Sequence, residues 1–169
     1  MTAPLATQPG FTRALAAVRG AEIGLLRAVA LDIVAVGEGD ALRELGPEAV
    51  TVIRSATGPV SVDLQAHATA DGATTFLGLA SHGIAVSAHL SLVAGEPRQH
   101  LRATIRLVGT HGSVLVDLLR PLLDVRTAAG ARQVCFGTPG DQVPPAEATD
   151  TLSAIAESAR TGRTISTTW

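Results

Sequence analysis

The chain has 169 residues, enough for one domain with a real core, and a net charge of −2; 46% of its residues are hydrophobic and 17% are charged. The thirteen basic residues are all arginines without clustering and only 2% of residues are aromatic, which argues against a nucleic-acid-binding surface. The absence of Lys and Tyr excludes a Schiff-base lysine and a tyrosine proton donor, and the single Cys excludes an internal disulfide and a multi-cysteine metal site.

The beginning of the chain is not typical of a targeting or membrane segment. Residues 1–13 have no basic region followed by an apolar stretch, so no secretory signal peptide is expected. The most apolar early run, 25–36, is interrupted by Arg27 and Asp32 and is shorter than the ~20 residues that span a bilayer. We therefore expect a cytoplasmic protein with no membrane partner.

The first third of the chain predicts a mixture of helices and strands. Residues 1–8 are expected to be a flexible tail, and 9–169 a single domain. Apolar residues at helical spacing predict a helix over 11–18 that Gly20 ends, and the β-branched run 25–36 predicts a strand. Asp40 is expected to cap a short helix over 41–45, ended by Gly46-Pro47, and residues 49–56 are expected to form the next strand.

The centre of the chain predicts an antiparallel meander. Apolar and polar residues alternate strictly over 60–70, Asp71-Gly72 follows as a hairpin turn, and strands are expected over 73–80 and 84–92. One face of this meander is apolar, and the other is mixed and carries three of the five histidines.

The rest of the chain adds strands and a last helix. Further strands are predicted over 101–107, 113–118, 122–127 and 133–136; a surface loop is expected over 137–145, and a helix begins at Ala148 and ends before Gly162. The fold class is therefore α+β, a largely antiparallel mixed sheet with helices packed on one face. The other face needs a cover, and homo-oligomerisation through the sheet is the simplest one.

The mixed face of the meander supplies the first candidate site residues. His67 and Asp63 are the catalytic candidates there, with Gln65 as a substrate contact. Residues two and four apart on a strand face lie about 7 and 13 Å apart, so His67 and Asp63 cannot bond directly. The same face could equally be a solvent or oligomer surface.

Other polar residues are weaker candidates. His82, beside Ser81 at a strand end, is a further catalytic candidate, although neighbours on a strand point to opposite faces. His89 and Asp32 are candidate substrate contacts, and Asp32 is either exposed or a buried acid. The terminal Trp169 is expected to be a free aromatic that covers a neighbouring subunit's pocket, or to be disordered.

Four other residues are assigned structural roles. His111 is expected in a tight turn, and Asp117 and Arg120 are expected to form an ion pair. Cys135 lies between apolar residues, which favours a buried inert thiol over a nucleophile. No helical pair of ligands supports a metal site, and none is predicted.

Five segments, in order, resemble the C-terminal domain of the Gfo/Idh/MocA oxidoreductases. They are residues 9–36 with the turn Glu22-Ile23-Gly24, residues 39–58, 63–81 and 107–117, and residues 154–165, with a Ser-Ala-Arg-Thr-Gly-Arg ending. Each motif is weak alone, but their common order covers the chain from about residue 8 to its end. The resemblance implies the fold of that substrate and oligomerisation domain.

The resemblance does not extend to hydride transfer. The sequence contains no Gly-x-Gly-x-x-Gly after a strand, so it has no Rossmann domain to bind a dinucleotide. The family's Asp-xxx-His pair falls on Ile33 and Gly37, and its catalytic Lys has no counterpart. No cofactor is therefore predicted.

Two functions fit a domain of this kind standing alone. The first is a cofactor-independent cyclase or isomerase, similar to a pericyclase of polyketide biosynthesis, that folds a bulky apolar small molecule into a reactive shape. The expected site is a mostly apolar cavity between the sheet and the helices. The alternative is a non-catalytic binding or partner subunit of a separate oxidoreductase.

Overall fold

The structure, a computed structural model, describes residues 4–95, 100–120, 122–135 and 149–169. In these residues a single sheet is accompanied by three α-helices and a short 3-10 turn, Leu5–Thr7. The helices are α1 (Pro9–Arg19), α2 (Ala41–Thr57) and α3 (Thr149–Thr161). The strands are β1 (Leu26–Val36), β2 (Ser61–Ala68), β3 (Thr74–Ala80), β4 (Ala85–Val93), β5 (His100–Gly109), β6 (Gly112–Asp117), β7 (Leu122–Thr127), β8 (Gly130–Cys135) and β9 (Ile165–Thr168).

The sheet is mixed and mostly antiparallel, as predicted. Its strand order over the described residues is β8-β7-β6-β5-β1-β4-β3-β2-β9. The central pair β1 and β4 is parallel, and every other neighbouring pair is antiparallel. The predicted meander is confirmed as β2, β3 and β4, with Gly72 at φ 83° in the first hairpin, where a left-handed backbone favours glycine.

The helices cover one face of the sheet. Helix α1 contacts β5, β6 and β7, α2 contacts β1 and β4, and α3 contacts β2 and β9. Fully buried side chains from every part of this layer form one core; the largest include Phe11, Ile23, Ile33, Ile53, Leu64, Phe76, Leu90, Ile105 and Leu123. The predicted α+β class, with helices on one face, is therefore confirmed. These buried side chains occupy the layer in which the sequence predicted an apolar cavity, so we seek the candidate site on the other face.

Helix α2 corrects the prediction of a short helix followed by a strand. Asp40 caps it as predicted, accepting a hydrogen bond from the Leu42 amide at 2.9 Å. The helix then continues through Gly46-Pro47 for 17 residues, with Pro47 in its interior. Buried residues at 42, 45, 49 and 53 follow helical spacing, and their burial outweighs the strand preference of the β-branched residues after Pro47. Gly46 allows α3 to approach: a Cβ there would lie 2.6 Å from Leu152 Cδ2.

Residues expected in a flexible tail are partly built into the core. Leu5 and the rest of the 3-10 turn are buried, and the Leu5 amide donates to Glu48 Oε1 of α2 at 2.6 Å. The sequence segment before α1 thus contributes an apolar anchor to the helical layer.

The other end of the chain also differs from the prediction. Trp169 is neither free nor disordered: it is 3% exposed, its ring lies 6.5 Å from that of Phe76, and its amide donates to the Val60 carbonyl at 3.0 Å. The alternation that continues from β9 turns Trp169 toward the helices, where it closes the core beneath α3.

The remaining predictions hold with shifted boundaries. Strand β8 begins at Gly130, which was expected to lie between strands, and the loop predicted over 137–145 lies outside the described residues, as do Phe136 and Ala148. No helix of the described part is both long and apolar enough to cross a bilayer.

Candidate functional site: the open face of the sheet

The face of the sheet opposite the helices, here called the open face, carries a continuous row of polar side chains. The registers place His67 opposite Thr75, Thr75 opposite His89, and His89 opposite Asp32. The row continues from Asp32 to Thr104 and from there to Asp117. We call these six residues, from β2 to β6, the polar row; three of the sequence candidates, His67, His89 and Asp32, therefore share one surface.

Asp32 is the central acid of this row. Its Oδ2 lies 2.7 Å from Arg102 Nε, and 30% of its side chain is exposed, between the exposed and buried readings of the sequence. Its other oxygen, Oδ1, is buried and accepts no hydrogen bond from any residue in the described part of the chain. A buried acceptor without a donor is costly, so this oxygen calls for a structural or functional reason.

The histidines of the row are exposed and differ in their partners. His89 Nδ1 and Thr75 Oγ1 are 2.9 Å apart, so the hydroxyl holds the ring on the face of the sheet. His67 and His89 flank Thr75 from two different strands, which places their backbones about 10 Å apart. One bound molecule of ordinary size can therefore reach both rings.

The β2-β3 hairpin brings a carboxylate to the end of the polar row. A hydrogen bond from the Thr69 hydroxyl is the main reason that the pKa of Asp71 lies below its usual range, and His89 contributes in the same direction. Asp71 thus remains an anion next to the histidine end of the row.

The other catalytic candidates are not assembled with His67. Asp63 accepts a short hydrogen bond from Ser166 of β9. It lies on the same face as His67, but four residues before it along β2. Gln65 lies between them, opposite Leu77. His82 is in the turn after β3. The end of β3 is already five residues beyond Thr75, so His82 lies at least about 17 Å from Thr75 along the strand direction. The structure therefore does not bring together the trio His67, Asp63 and His82.

Apolar side chains border the polar row. Leu77 and Leu79 of β3 are 56% and 59% exposed, and Leu115 of β6 is 37% exposed. Between them the open face carries Ala30 of β1, which lies opposite Ser87 of β4. Exposed leucines on a sheet face are typical of a surface that another molecule covers.

The sequence reasoning overlooked four members of the site. Arg102 and Thr104 were included only in the strand predicted over 101–107, Asp117 was assigned only to an ion pair with Arg120, and Thr75 was not singled out. Asp117 does lie 3.6 Å from Arg120, as predicted, and also accepts from the Leu119 amide. The signal that was available is the period of two in β5, but the strand order that sets it beside β1 is not readable from that pattern.

The positions of His111 and Cys135 test two predictions of structural roles. His111 lies in the β5-β6 turn as predicted, 2.8 Å from the Thr110 hydroxyl. Cys135 was expected to be buried, and this is wrong: it is exposed, because β8 is an edge strand and the residue follows the open-face register opposite Leu122. Its exposure alone assigns it no role.

The two positions to which the resemblance assigned an Asp-xxx-His pair carry neither residue. Ile33 is fully buried in the core on the helical side, and Gly37 offers no side chain. Among the described residues, no three His, Cys, Asp or Glu side chains converge as a metal-ligand set. The side chains that the open face presents are carboxylates, imidazoles, hydroxyls, arginines and leucines.

Several solved structures have a fold similar to that of this chain. An oxidoreductase of Thermotoga maritima aligns over 97% of this chain and 62% of its own, with a TM-score of 0.78 and 17% identity. The apo form of levoglucosan dehydrogenase aligns over 96% of this chain and 65% of its own, with a TM-score of 0.79 and 16% identity. An oxidoreductase domain protein of Kribbella flavida aligns over 96% and 64%, with a TM-score of 0.73 and 16% identity.

The chain has the fold of these oxidoreductases. The resemblance to the C-terminal domain of the Gfo/Idh/MocA enzymes is thereby confirmed for the fold, and identities of this size support no more than the fold. The chain spans less than two thirds of the length of these neighbours. No protein-family model and no curated protein matches the sequence.

Proposed function

We propose that the chain binds a bulky apolar small molecule, such as a polyketide, on its open face and promotes its cyclisation or isomerisation without a nicotinamide. The observation that carries the proposal is the Asp32 carboxylate, held centrally in the polar row with a buried and unpartnered Oδ1. In a purely structural surface ion pair both oxygens would be hydrated or bonded. The part of the Asp32 side chain that remains exposed, 30%, faces the same surface as the exposed leucines, which suits a ligand with an apolar body and one polar group.

The proposed site acts mainly by holding its substrate in shape. A flexible chain that lies across the leucines, with a hydroxyl or enol donating to Asp32, loses the freedom that separates its reacting ends. Cyclisation or isomerisation rearranges bonds within one molecule, so that no external oxidant, reductant or co-reactant is needed. His89 and His67 supply further hydrogen bonds along the same row.

A second copy of the chain is the proposed cover. A sheet face is too flat to exclude water by itself, and Leu77 and Leu79 offer an apolar contact for another such face. Sedimentation velocity of the wild type and Leu79→Glu tests this part. We expect a dimer that the charged variant dissociates; a monomeric wild type at micromolar concentration contradicts the proposed cover.

The proposed activity is tested with linear and macrocyclic polyene acids and esters, followed by mass spectrometry and NMR of the products. We expect turnover of a polyene with no nicotinamide present and a loss of at least tenfold in kcat/KM for Asp32→Asn. The matched control is Asp150→Asn, an exposed acid of α3 in the helical layer. A requirement for NAD(P) or a second protein, or full activity of Asp32→Asn, refutes the proposal.

The comparisons favour a second candidate, a partner subunit of a separate oxidoreductase. The neighbours include dehydrogenase structures that contain NADH, and this chain aligns with only part of each of them. In this case the open face or an edge of the sheet contacts a cofactor-binding protein encoded nearby. Co-expression with a neighbouring Rossmann-type gene product would then yield a stable complex and nicotinamide-dependent turnover, neither of which the cyclase proposal expects.

A further inference from the structure

A small pocket on the open face lies beside the proposed site. It has a volume of about 120 Å³ and lies between β5, β6 and β7; its lining residues are Arg106, Ser113, Leu115, Asp124 and Arg126. The register places Arg106 opposite Leu115, Leu115 opposite Asp124, and Ser113 opposite Arg126. The pocket thus combines two guanidinium groups, one carboxylate, a hydroxyl and an apolar wall, in a space that holds a small ligand group and a few carbons.

The charges in this pocket are unequally paired. Arg126 donates to Asp124 Oδ2 at 3.1 and 3.2 Å, and Arg102 on the neighbouring row is paired with Asp32. Arg106 is exposed and makes no ion pair or side-chain hydrogen bond with any residue that the structure describes. The pocket therefore presents one uncompensated guanidinium, whose planar fork is suited to bidentate binding of a carboxylate.

Apolar and small residues continue from Arg106 across the sheet. Its neighbour on β1 is Ala30, followed by Ser87 on β4 and the exposed Leu77 on β3. Three strand spacings separate Arg106 from Leu77, or about 14 Å. This span is that of an extended acyl chain of about ten carbons, and it runs alongside the polar row, two residues from Asp32 on β1.

We infer that the ligand of the open face is an apolar carboxylic acid whose carboxylate binds Arg106, with its body lying over Ala30 toward Leu77. This assignment rests on the proposed function for the location of the ligand and adds its chemical class. The carboxylate end is fixed at β5, so the middle of the ligand passes Asp32 and its far end reaches the leucines of β3. Arg126, whose charge is offset by Asp124, lines the far side of the pocket.

The probes for the test are octanoate, its neutral isostere octanamide, and inorganic phosphate. Binding to the intact chain is measured by chemical-shift titration of backbone amides. Arg106→Gln removes the charge and keeps the length and polarity of the side chain. Arg43→Gln is the matched control, an exposed arginine of α2 on the helical side of the molecule.

We expect octanoate to bind the wild type and Arg43→Gln at least fivefold more tightly than octanamide, with shifts centred on Ser113 and Leu115. For Arg106→Gln the two probes should bind equally, and phosphate should bind the wild type more weakly than octanoate. Equal binding of octanoate and octanamide by the wild type overturns the inference, and so does equal binding of phosphate and octanoate, which indicates a general anion site.

A carboxylate from a second copy of the chain is the competing occupant of the pocket. In that case Arg106→Gln weakens the dimer in sedimentation experiments and leaves the octanoate preference unchanged, which also overturns the inference. The probes undergo no reaction, so these outcomes are independent of the cyclase test. Octanoate bound at Arg106 without any polyene turnover would contradict the proposed activity and leave the ligand class standing.

Discussion

Replacing Asp32 by valine should make the protein more stable while it removes the proposed site. Asp32 lies in the middle of β1, where its Oδ2 is 2.7 Å from Arg102 and its Oδ1 is buried without a donor. Its neighbours on the open face of the same strand are Ala30 and Val34, so a valine fits the local surface. A residue that is kept for binding at a cost in stability gives this combination of effects.

The size of the effect follows from the two oxygens. Removal of a buried acceptor without a partner recovers about 1–3 kcal/mol. Loss of the ion pair with Arg102, whose side chain is 59% exposed, costs about 0.2–1 kcal/mol. The net expectation is a gain of about 1–2 kcal/mol in the free energy of unfolding. In a chain of this length, where 1 kcal/mol shifts Tm by about 2–4 °C, that corresponds to a rise in Tm of about 2–8 °C.

The assay is urea and thermal unfolding followed by far-ultraviolet circular dichroism, with Arg102→Met as the matched variant. Arg102→Met leaves the Asp32 carboxylate without its cation, so it should lower the free energy of unfolding while Asp32→Val raises it. A loss of 1 kcal/mol or more in Asp32→Val would refute the reasoning, because it would show that the carboxylate stabilises the fold.

Four further outcomes check the architecture. Trp169→Ala should lower the free energy of unfolding by about 3–5 kcal/mol in urea titrations, because it empties a buried site. Gly109→Ala should prevent stable folding, seen as aggregation or loss of a cooperative transition, since its Cβ would lie 2.1 Å from the Ile23 carbonyl oxygen. Cys135 should react with a thiol reagent in the native protein at nearly the rate measured in urea. Glu22→Gln should be less stable than the wild type at pH 7, and the difference should shrink as the pH falls below about 4.5.

The pH dependence of Glu22 follows from its two arginine partners. A hydrogen bond from Arg13, at 2.8 Å, is the largest cause that lowers its pKa, and Arg132 adds to it. A carboxyl whose pKa is lowered in the folded state stabilises that state at pH values above its pKa in the unfolded chain, which is near 4.5. This contribution is lost as the pH falls through the lower folded value. A pH-independent difference between the variants would show that Glu22 acts by packing.

The parts of the fold that the sequence predicted are those with a local signal. The alternation of 60–70 and the Asp71-Gly72 hairpin fixed both faces of β2 and its turn, because a strand's side chains alternate regardless of what covers them. The helix cap at Asp40 was also predicted correctly, because it is local: the Leu42 amide that donates to its side chain is only two residues away.

The parts that were missed depend on contacts between distant segments. The strand preference of residues 49–56 is real, but burial against β1 and β4 keeps them helical through Pro47. Trp169 looked free because its partners, Phe76 and Val60, are about a hundred residues away in the chain. Propensity and pattern describe a segment alone, and tertiary burial decides between them when they disagree.

The candidate site was half predicted for a similar reason. His67 and His89 could be assigned to one meander face, since β2, β3 and β4 follow each other along the chain. Asp32 joins them only because β1 pairs parallel with β4, which no turn between the two strands announces.

The parallel contact between β1 and β4 is also what gives the open face its chemistry. An all-antiparallel meander of β2, β3 and β4 would present histidines and leucines but no central acid. Inserting β1 between β4 and β5 sets Asp32 between His89 and Thr104, and brings the arginines of β5 to the same surface. A carboxylate, two imidazoles and an unpaired guanidinium then lie within three to four strand spacings, or about 14–19 Å. An apolar acid is long enough to contact all of these groups. A surface ion pair between Asp32 and Arg102 would require none of the others.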